Sequence, residues 1–343
     1  MKKVAILCNT FCGNSGVDRV VFQQAERYAR EGKCVTIFSF ECDMSPPNGV
    51  NLRVISRPHN YILERIWRLL VPTNIIKMAT MYLNLKDFSE IYSHHYPWNW
   101  WAFIAKTLNG SKYIYYYHHL NPPESYDKAF QRLYVHILNF LTKWTARGAD
   151  TAISISRFSQ ESLLREFGMK SKIIENEIDE SHFKAKIDDR YVRLKYGLND
   201  DPLILFVGGI RPPKCVHLLI DAFYILKQTV PNAKLIIVGS GQSSDYYNKI
   251  REMSDASIIF AGYVEDNELP YYYAACNVYA TASLWEGFNL PLEEAKMSGK
   301  RVVAFDIGAH RERIKDLSDG ILVPAGDITL MAKAIENVIV KLE

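Results

Sequence analysis

From its first residues the chain alternates continuous apolar runs with segments of helical period. Runs at 3–8, 34–39, 91–93, 113–117 and 151–154 predict strands, and the stretches 17–30, 99–108, 125–147 and 157–167 predict helices. An unbroken apolar run suits a strand buried on both faces. Such strands alternating with helices signal a parallel sheet with helices on either side. Between about 176 and 202 the rhythm weakens, and Asp188, Asp189, Asn199, Asp200, Asp201 and Pro202 gather around "DDRYVRLKYGLNDDP". A second series follows, with strands at 203–207, 234–238, 257–260, 277–281 and 301–305 and helices at 216–229, 244–253, 267–275 and 290–298. The pattern predicts an α/β protein of two successive doubly wound units. The weak stretch is the expected crossing, with domains over 1–185 and 186–343 and the last helix free to pack back toward the first domain.

One segment breaks the alternation. "YILERIWRLLVPTNIIKMATMYL", residues 61–83, is apolar and aromatic, with Arg65, Arg68 and Lys77 interleaved and Pro72 dividing it. Its charges and proline argue against a membrane span. A core helix pair is the favoured reading, and a surface lying in a bilayer interface is the alternative.

Composition narrows the function classes. At 343 residues the chain suits two domains, and 48% hydrophobic with 23% charged residues is ordinary globular usage. A net charge of +3, with no basic run, carries no nucleic-acid footprint. The six cysteines, Cys8, Cys12, Cys34, Cys42, Cys215 and Cys276, form no Cys-x-x-Cys pair and read as free thiols of a reducing cytoplasm. The apolar stretch after Met1 ends at Asn9, too early for a signal peptide, and fits a first strand.

In doubly wound sheets ligands lie beyond the carboxyl ends of the strands, so the loops after strands hold the candidate chemistry. After the first strand comes the glycine-bearing loop Asn9 to Arg19, opening a helix whose N-terminus favours an anion. It has neither the dinucleotide spacing nor the P-loop lysine. The strand at 203–207 runs into "VGGIRPPK", where Arg211 and Lys214 sit in a loop stiffened by two prolines, suited to a diphosphate. Gly239-Ser-Gly241 lacks the third glycine of an NAD fingerprint, with Ser244 in its place. In "WEGFNLPLEE", residues 285–294, Asn289 is placed to cap a helix carrying Glu293 and Glu294, where the helix dipole favours carboxylates, and Gly299 to end it. Glu286 precedes the cap, and the helix does not need it. No Asp-x-Asp motif and no metal-spaced cluster appears, so no metal and no other cofactor is called for.

These residues carry a resemblance. Glu286-x7-Glu294 within "EGFNLPLEEAKMSGKRVVAFDIGAHRE" resembles the signature of the family-4 retaining glycosyltransferases (glycosyl transferases group 1). So do "SGVDRVVFQQAERYAREGKCVTIFS", "YYYHHLNPPESYD", "AISISRFSQESL", "ENEIDESHF" and "FAGYVEDNELPYYYAACNVYATAS" at the family's other landmarks. The resemblance implies the GT-B fold, two doubly wound Rossmann-like domains facing a central cleft, and a GDP- or UDP-sugar donor on the C-terminal one. It implies that Glu294 holds the ribose and that Glu286, with the backbone of Phe288, Asn289 and Leu290, faces sugar and diphosphate. Lys214 and Arg211 would neutralise the diphosphate, backbone near Val264 would line the base, Gly16 would approach the phosphates, and His118, favoured over His119, would contact the sugar. Where the family often has Arg directly after the first glycine of the second-domain loop, this chain has Gly209, which makes Lys214 the surer of the two cations.

The implied function is retaining hexosyl transfer, mannose or glucose type, with Glu286, His118, Lys214 and Arg211 as catalytic candidates. A nucleotide-sugar epimerase of the same fold and a non-catalytic sugar-binding protein are the alternatives. The aromatic segment 61–83, with Tyr96, Trp98, Trp100 and Trp101, reads as an acceptor side for a glycan or lipid-linked glycan. The expected location is cytoplasmic, peripheral to the cytoplasmic face of a membrane.

Overall fold

The computed structural model describes residues 2–13, 15–120, 122–126, 128–184, 187–241 and 245–340. The chain divides into two compact units, Met1–Glu177 and Ile178–Glu343. The boundary expected between 185 and 186, and Ser244, lie outside the described residues.

In the first unit the order is β1 (Lys3–Leu7), α1 (Gly16–Arg30), β2 (Cys34–Ser39), β3 (Asn51–Val54), α2 (Tyr61–Leu70), α3 (Ile75–Leu85), β4 (Glu90–Ser93), α4 (Trp98–Asn109), β5 (Lys112–Tyr117), α5 (Ala129–Ala146), β6 (Thr151–Ser154), α6 (Arg157–Phe167) and β7 (Ser171–Ile173). The strands form one parallel sheet in the order β3-β2-β1-β4-β5-β6-β7. The chain direction across the sheet reverses between β1 and β4, which is where ligands bind in this architecture. Ser15 starts α1 by accepting a hydrogen bond from the Asp18 amide, and the helix buries Val20, Val21, Ala25 and Tyr28.

The second unit runs α7 (Glu180–Lys184), α8 (Arg190–Lys195), β8 (Leu203–Val207), α9 (Val216–Leu226), β9 (Lys234–Val238), α10 (Asp245–Glu252), β10 (Ile258–Gly262), α11 (Leu269–Ala275), β11 (Val278–Thr281), α12 (Leu290–Met297), β12 (Arg301–Phe305), α13 (Gly308–Arg313), β13 (Gly320–Val323) and α14 (Ile328–Val340). Its parallel sheet has the order β10-β9-β8-β11-β12-β13, reversing between β8 and β11. Alternate residues of β8 serve two cores. Ile204 and Phe206 pack with α9 and α14, and Leu203 and Leu205 pack on the opposite face with Tyr273 and Tyr279. Each such aliphatic side chain, fully buried, contributes about 1.5–3 kcal/mol. The last described helix, α14, packs on α9 of its own unit.

Several expectations are corrected. The polar stretch read as a crossing holds α8, whose Val192 is buried in the second core. The long helix starts at Ala129, after a 3-10 turn at Pro123–Ser125. Trp98 and Trp101, expected to face an acceptor, are buried, and Phe40 stacks on Trp98 at 4.3 Å. Tyr96 is buried too, while the half-buried Trp100 packs on Trp144 at 4.9 Å. A cluster of indoles this close to apolar strands gains more from burial than from exposure to solvent. The segment 61–83 is split: Val71 and Met81 enter the core, while Ile62, Leu63, Leu70 and Leu83 are exposed, and Ile75 and Ile76 are 80% and 81% exposed.

Candidate active site

In the second unit the loops after β8 and β11 flank the point where the strand order reverses. The first carries Lys214, the last residue of a 3-10 turn begun by Pro212 and Pro213, with Cys215 behind it in the left-handed region. The second carries Glu286. The two meet: Lys214 Nζ donates to Glu286 Oε1 at 2.5 Å. Glu286 is only 8% exposed. Burial pushes its carboxyl up, but Lys214, then His310, and the Ser283 hydroxyl outweigh it and hold the group below its ordinary value of 4.5. It is therefore ionised at neutral pH, a buried carboxylate kept charged by a neighbouring cation.

Asn289 corrects the capping expectation. Its side chain makes no cap bond to α12, and its backbone is left-handed, φ 66. Its Nδ2 instead lies 2.8 Å from His310 Nε2, and His310 Nδ1 lies 2.8 Å from the Phe305 carbonyl. That carbonyl only accepts, so His310 Nδ1 donates to it and Nε2 accepts from Asn289. Burial lowers the His310 pKa below 6.5 against the pull of Glu286, leaving a neutral ring that braces the Glu286 loop. Glu294 is the fifth of the eight residues of α12, one turn in from its start, fully buried and accepting from Tyr273 Oη at 2.7 Å. Phe288 is buried under the Arg313 guanidinium at 3.9 Å, and Leu290 opens α12. Val264 is buried just beyond β10. Arg211 is exposed, its guanidinium lying over Gly209. His310 and Tyr273 were missed by sequence reasoning. Both stand in the quoted motifs, but only the fold shows what they brace.

In the first unit Gly16 is the first residue of α1, after a loop pinned from inside by buried Asp18, which accepts from Thr10 Oγ1 at 2.8 Å and the Cys12 amide at 3.4 Å. His118 follows β5 and lies 2.7 Å from His94 Nδ1, His94 being the residue after β4. Burial drives both histidines well below 6.5, and each is lowered further by its histidine neighbours. His119 is left-handed, φ 76, and stacks on Phe158 at 5.1 Å.

Two family models match the chain: Glycosyltransferase Family 4 over residues 14–182 and Glycosyl transferases group 1 over residues 191–341. A putative glycosyltransferase EpsD of Bacillus subtilis is 28% identical over 204 residues, 57% of this chain and 53% of that protein. The GDP-mannose-dependent alpha-(1-6)-phosphatidylinositol monomannoside mannosyltransferase of Mycolicibacterium smegmatis is 26% identical over 206 residues, 56% of this chain and 53% of that protein. The chain thus spans about half the length of these curated relatives. Among solved structures, Anabaena HepE in complex with UDP-glucose superposes with a TM-score of 0.77 at 21% identity, over 100% of this chain and 91% of that one, a likeness of fold.

Proposed function

We propose, on the premise that the chain belongs to the glycosyltransferases of group 1 and family 4, that it moves a hexosyl group from a GDP- or UDP-sugar to a glycan or lipid-linked glycan. The observation that carries this reading is the Lys214–Glu286 pair, a cation and an ionised, buried carboxylate on the two loops that flank the strand-order reversal. Lys214, with Arg211 beside it, meets the diphosphate. Glu286 and the Phe288–Leu290 backbone face the sugar, Glu294 takes the ribose hydroxyls, and the backbone near Val264 lines the base. From the first unit Gly16 approaches the phosphates and His118 contacts the sugar.

Transfer proceeds with retention. The bond from the anomeric carbon to the diphosphate oxygen breaks, the acceptor oxygen bonds that carbon on the same face, and the acceptor proton passes to a phosphate oxygen. Charge building on the leaving diphosphate falls on Lys214 and Arg211, groups already fixed in place and needing little reorganisation. Glu286 stabilises positive charge on the sugar and forms no covalent bond.

The test is a panel of nucleoside-diphosphate hexoses, each scored for thermal protection and for turnover with and without acceptor glycans. One GDP- or UDP-hexose is expected to protect, by about 2.7 kcal/mol at a hundredfold excess over Kd, and to be consumed productively with acceptor, giving an α product from an α donor. Isomerisation of the donor without acceptor would instead identify an epimerase. Protection without turnover would identify a sugar-binding protein.

The acceptor side of this reading is a lipid-bearing surface at the cytoplasmic face of a membrane. Among the described residues no helix is long and apolar enough to cross a membrane. Exposed Phe130, Leu133, Ile137, Phe140 and Trp144 form a stripe along α5, a helix without a single acidic residue, and α2 lies beside it with Arg65 over the Tyr134 ring at 4.9 Å. Apolar surface interleaved with cations suits an anionic bilayer interface. Vesicles containing phosphatidylglycerol should carry the protein upward in flotation. Phe130→Asp combined with Phe140→Asp, two exposed positions of the stripe, should remove about 3 kcal/mol of apolar transfer, roughly a hundredfold in partitioning. Flotation by neither anionic nor neutral vesicles would rule this surface out as a membrane contact.

A further inference from the structure

Gln24 is out of place. It lies on the buried face of α1 among Val20, Val21, Ala25 and Tyr28, and is 3% exposed. A primary amide on a helix face otherwise given to core residues is costly unless its polar atoms are used. Its Oε1 lies 2.9 Å from His94 Nε2, and His94, itself 2% exposed, reaches His118 Nε2 with its other nitrogen at 2.7 Å. The three side chains, from α1 and from the ends of the neighbouring strands β4 and β5, form one unbroken chain of hydrogen bonds.

The chain has a direction. The Gln24 oxygen can only accept, so His94 carries its proton on Nε2. A neutral His94 then has a bare Nδ1, which accepts from His118, so His118 carries its proton on Nε2. The other end of the chain supports this polarity. Gln24 Nε2 and Asn176 Oδ1 are buried without hydrogen-bond partners, and both side chains line one small cavity, which so receives a donor from Gln24 and an acceptor from Asn176. Reversing the chain would turn the Gln24 oxygen toward a cavity that the Asn176 oxygen already lines. Ring orientation is fixed as well, because His118 stacks on Tyr116 and His95 with centroids at 5.1 and 5.6 Å.

We propose that Gln24 and His94 are positioning residues that hold His118 in the Nε2-protonated form, so that His118 offers Nδ1 as an acceptor to a hydroxyl of the donor sugar. The sugar contact rests on the function proposed above; the tautomer does not. A ring offering a lone pair selects a hydroxyl in a given place and gives nothing to a sugar that lacks it.

The experiment is a long-range proton–nitrogen spectrum of the full chain labelled with nitrogen-15 histidine, recorded without nucleotide, with His118 assigned from a His118→Asn spectrum. His94 and His118 should both show the neutral Nε2-protonated pattern. His118 protonated on Nδ1 would overturn the relay. Gln24→Met, close in size but unable to accept, should cost His118 its single-tautomer signature. It should also lower kcat/KM for the donor by roughly ten- to hundredfold, the size of loss seen when the partner that orients a metal-ligating histidine is removed. An unchanged His118 signature in that variant also overturns the relay. If Gln24→Met does not fold, the wild-type spectrum still decides. A correct tautomer in a protein that transfers no sugar would defeat the proposed function and leave the relay standing.

Discussion

Glu286→Gln should lower kcat for hexosyl transfer by about 10²- to 10³-fold, the range for losing one preorganised charge at a reacting centre. The side chain keeps its shape and an oxygen for Lys214, so what is lost is the negative charge. That charge matters most when positive charge develops on the sugar, so the loss should appear in kcat with donor KM moving less. Stability is the confounding variable. Removing one partner of a fully buried ion pair costs about 3–5 kcal/mol. Here the Lys214 side chain is 21% exposed and keeps a hydrogen-bond acceptor, so a smaller loss is expected. Steady-state kinetics with the donor found in the panel, run beside a thermal melt, separates the two. A variant that melts near wild type and turns over at the wild-type rate would remove Glu286 from the chemistry.

The central strands were legible because burial on both faces leaves an unbroken apolar run, as in Leu203–Val207 and Lys234–Val238. The strands missed were β3, β7 and β13, all at sheet edges; β3 and β7 carry polar residues where one side has no partner, while β13, Gly320–Val323, is apolar but only four residues long and opens on a glycine. In β3, "NLRV", Asn51 and Arg53 are exposed and no run forms. The candidate site was legible as two separate motifs. Seventy-two positions divide Lys214 from Glu286, and nothing in either stretch says that they touch. Asn289 shows the same limit. An asparagine before a helix reads as a cap, yet its actual partner is His310, twenty-one residues on, which the next strand brings back beneath the loop. The tryptophans of α4 misled for a related reason: aromatic residues at a strand end look the same in sequence whether they meet a ligand or Phe40.

Gly239→Ala should be among the most destabilising single substitutions in the second unit, by about 3 kcal/mol or more. Gly239 follows β9 with φ 141, a conformation that side-chain-bearing residues rarely adopt and that costs about 1–3 kcal/mol to impose. A methyl group there would lie 2.0 Å from the Gly208 carbonyl oxygen and 2.7 Å from its carbon, which is backbone and cannot rotate away. Nor can the strands easily part. The Gly208 amide donates to the Val238 carbonyl at 2.9 Å, and the Gly239 amide to the Gly262 carbonyl at 2.8 Å. Overpacking against so fixed a target adds about 1–3 kcal/mol. For a unit of this size each kcal/mol is worth about 2–4 °C, so its melting point should fall by about 6–12 °C. Gly299→Ala is the control, since Gly299 has φ 72 but nothing within 4 Å of the added carbon, and it should cost only about 1 kcal/mol. The consequence reaches the chemistry, because Gly208 begins the loop that carries Arg211 and Lys214. Residual folded Gly239→Ala protein, assayed below its melting point, should therefore also lose transferase activity, while Gly299→Ala keeps it. Equal melting points for the two variants would show that the loops after β8 and β9 are not pressed together, and with that the rigid placement of Lys214 would lose its support.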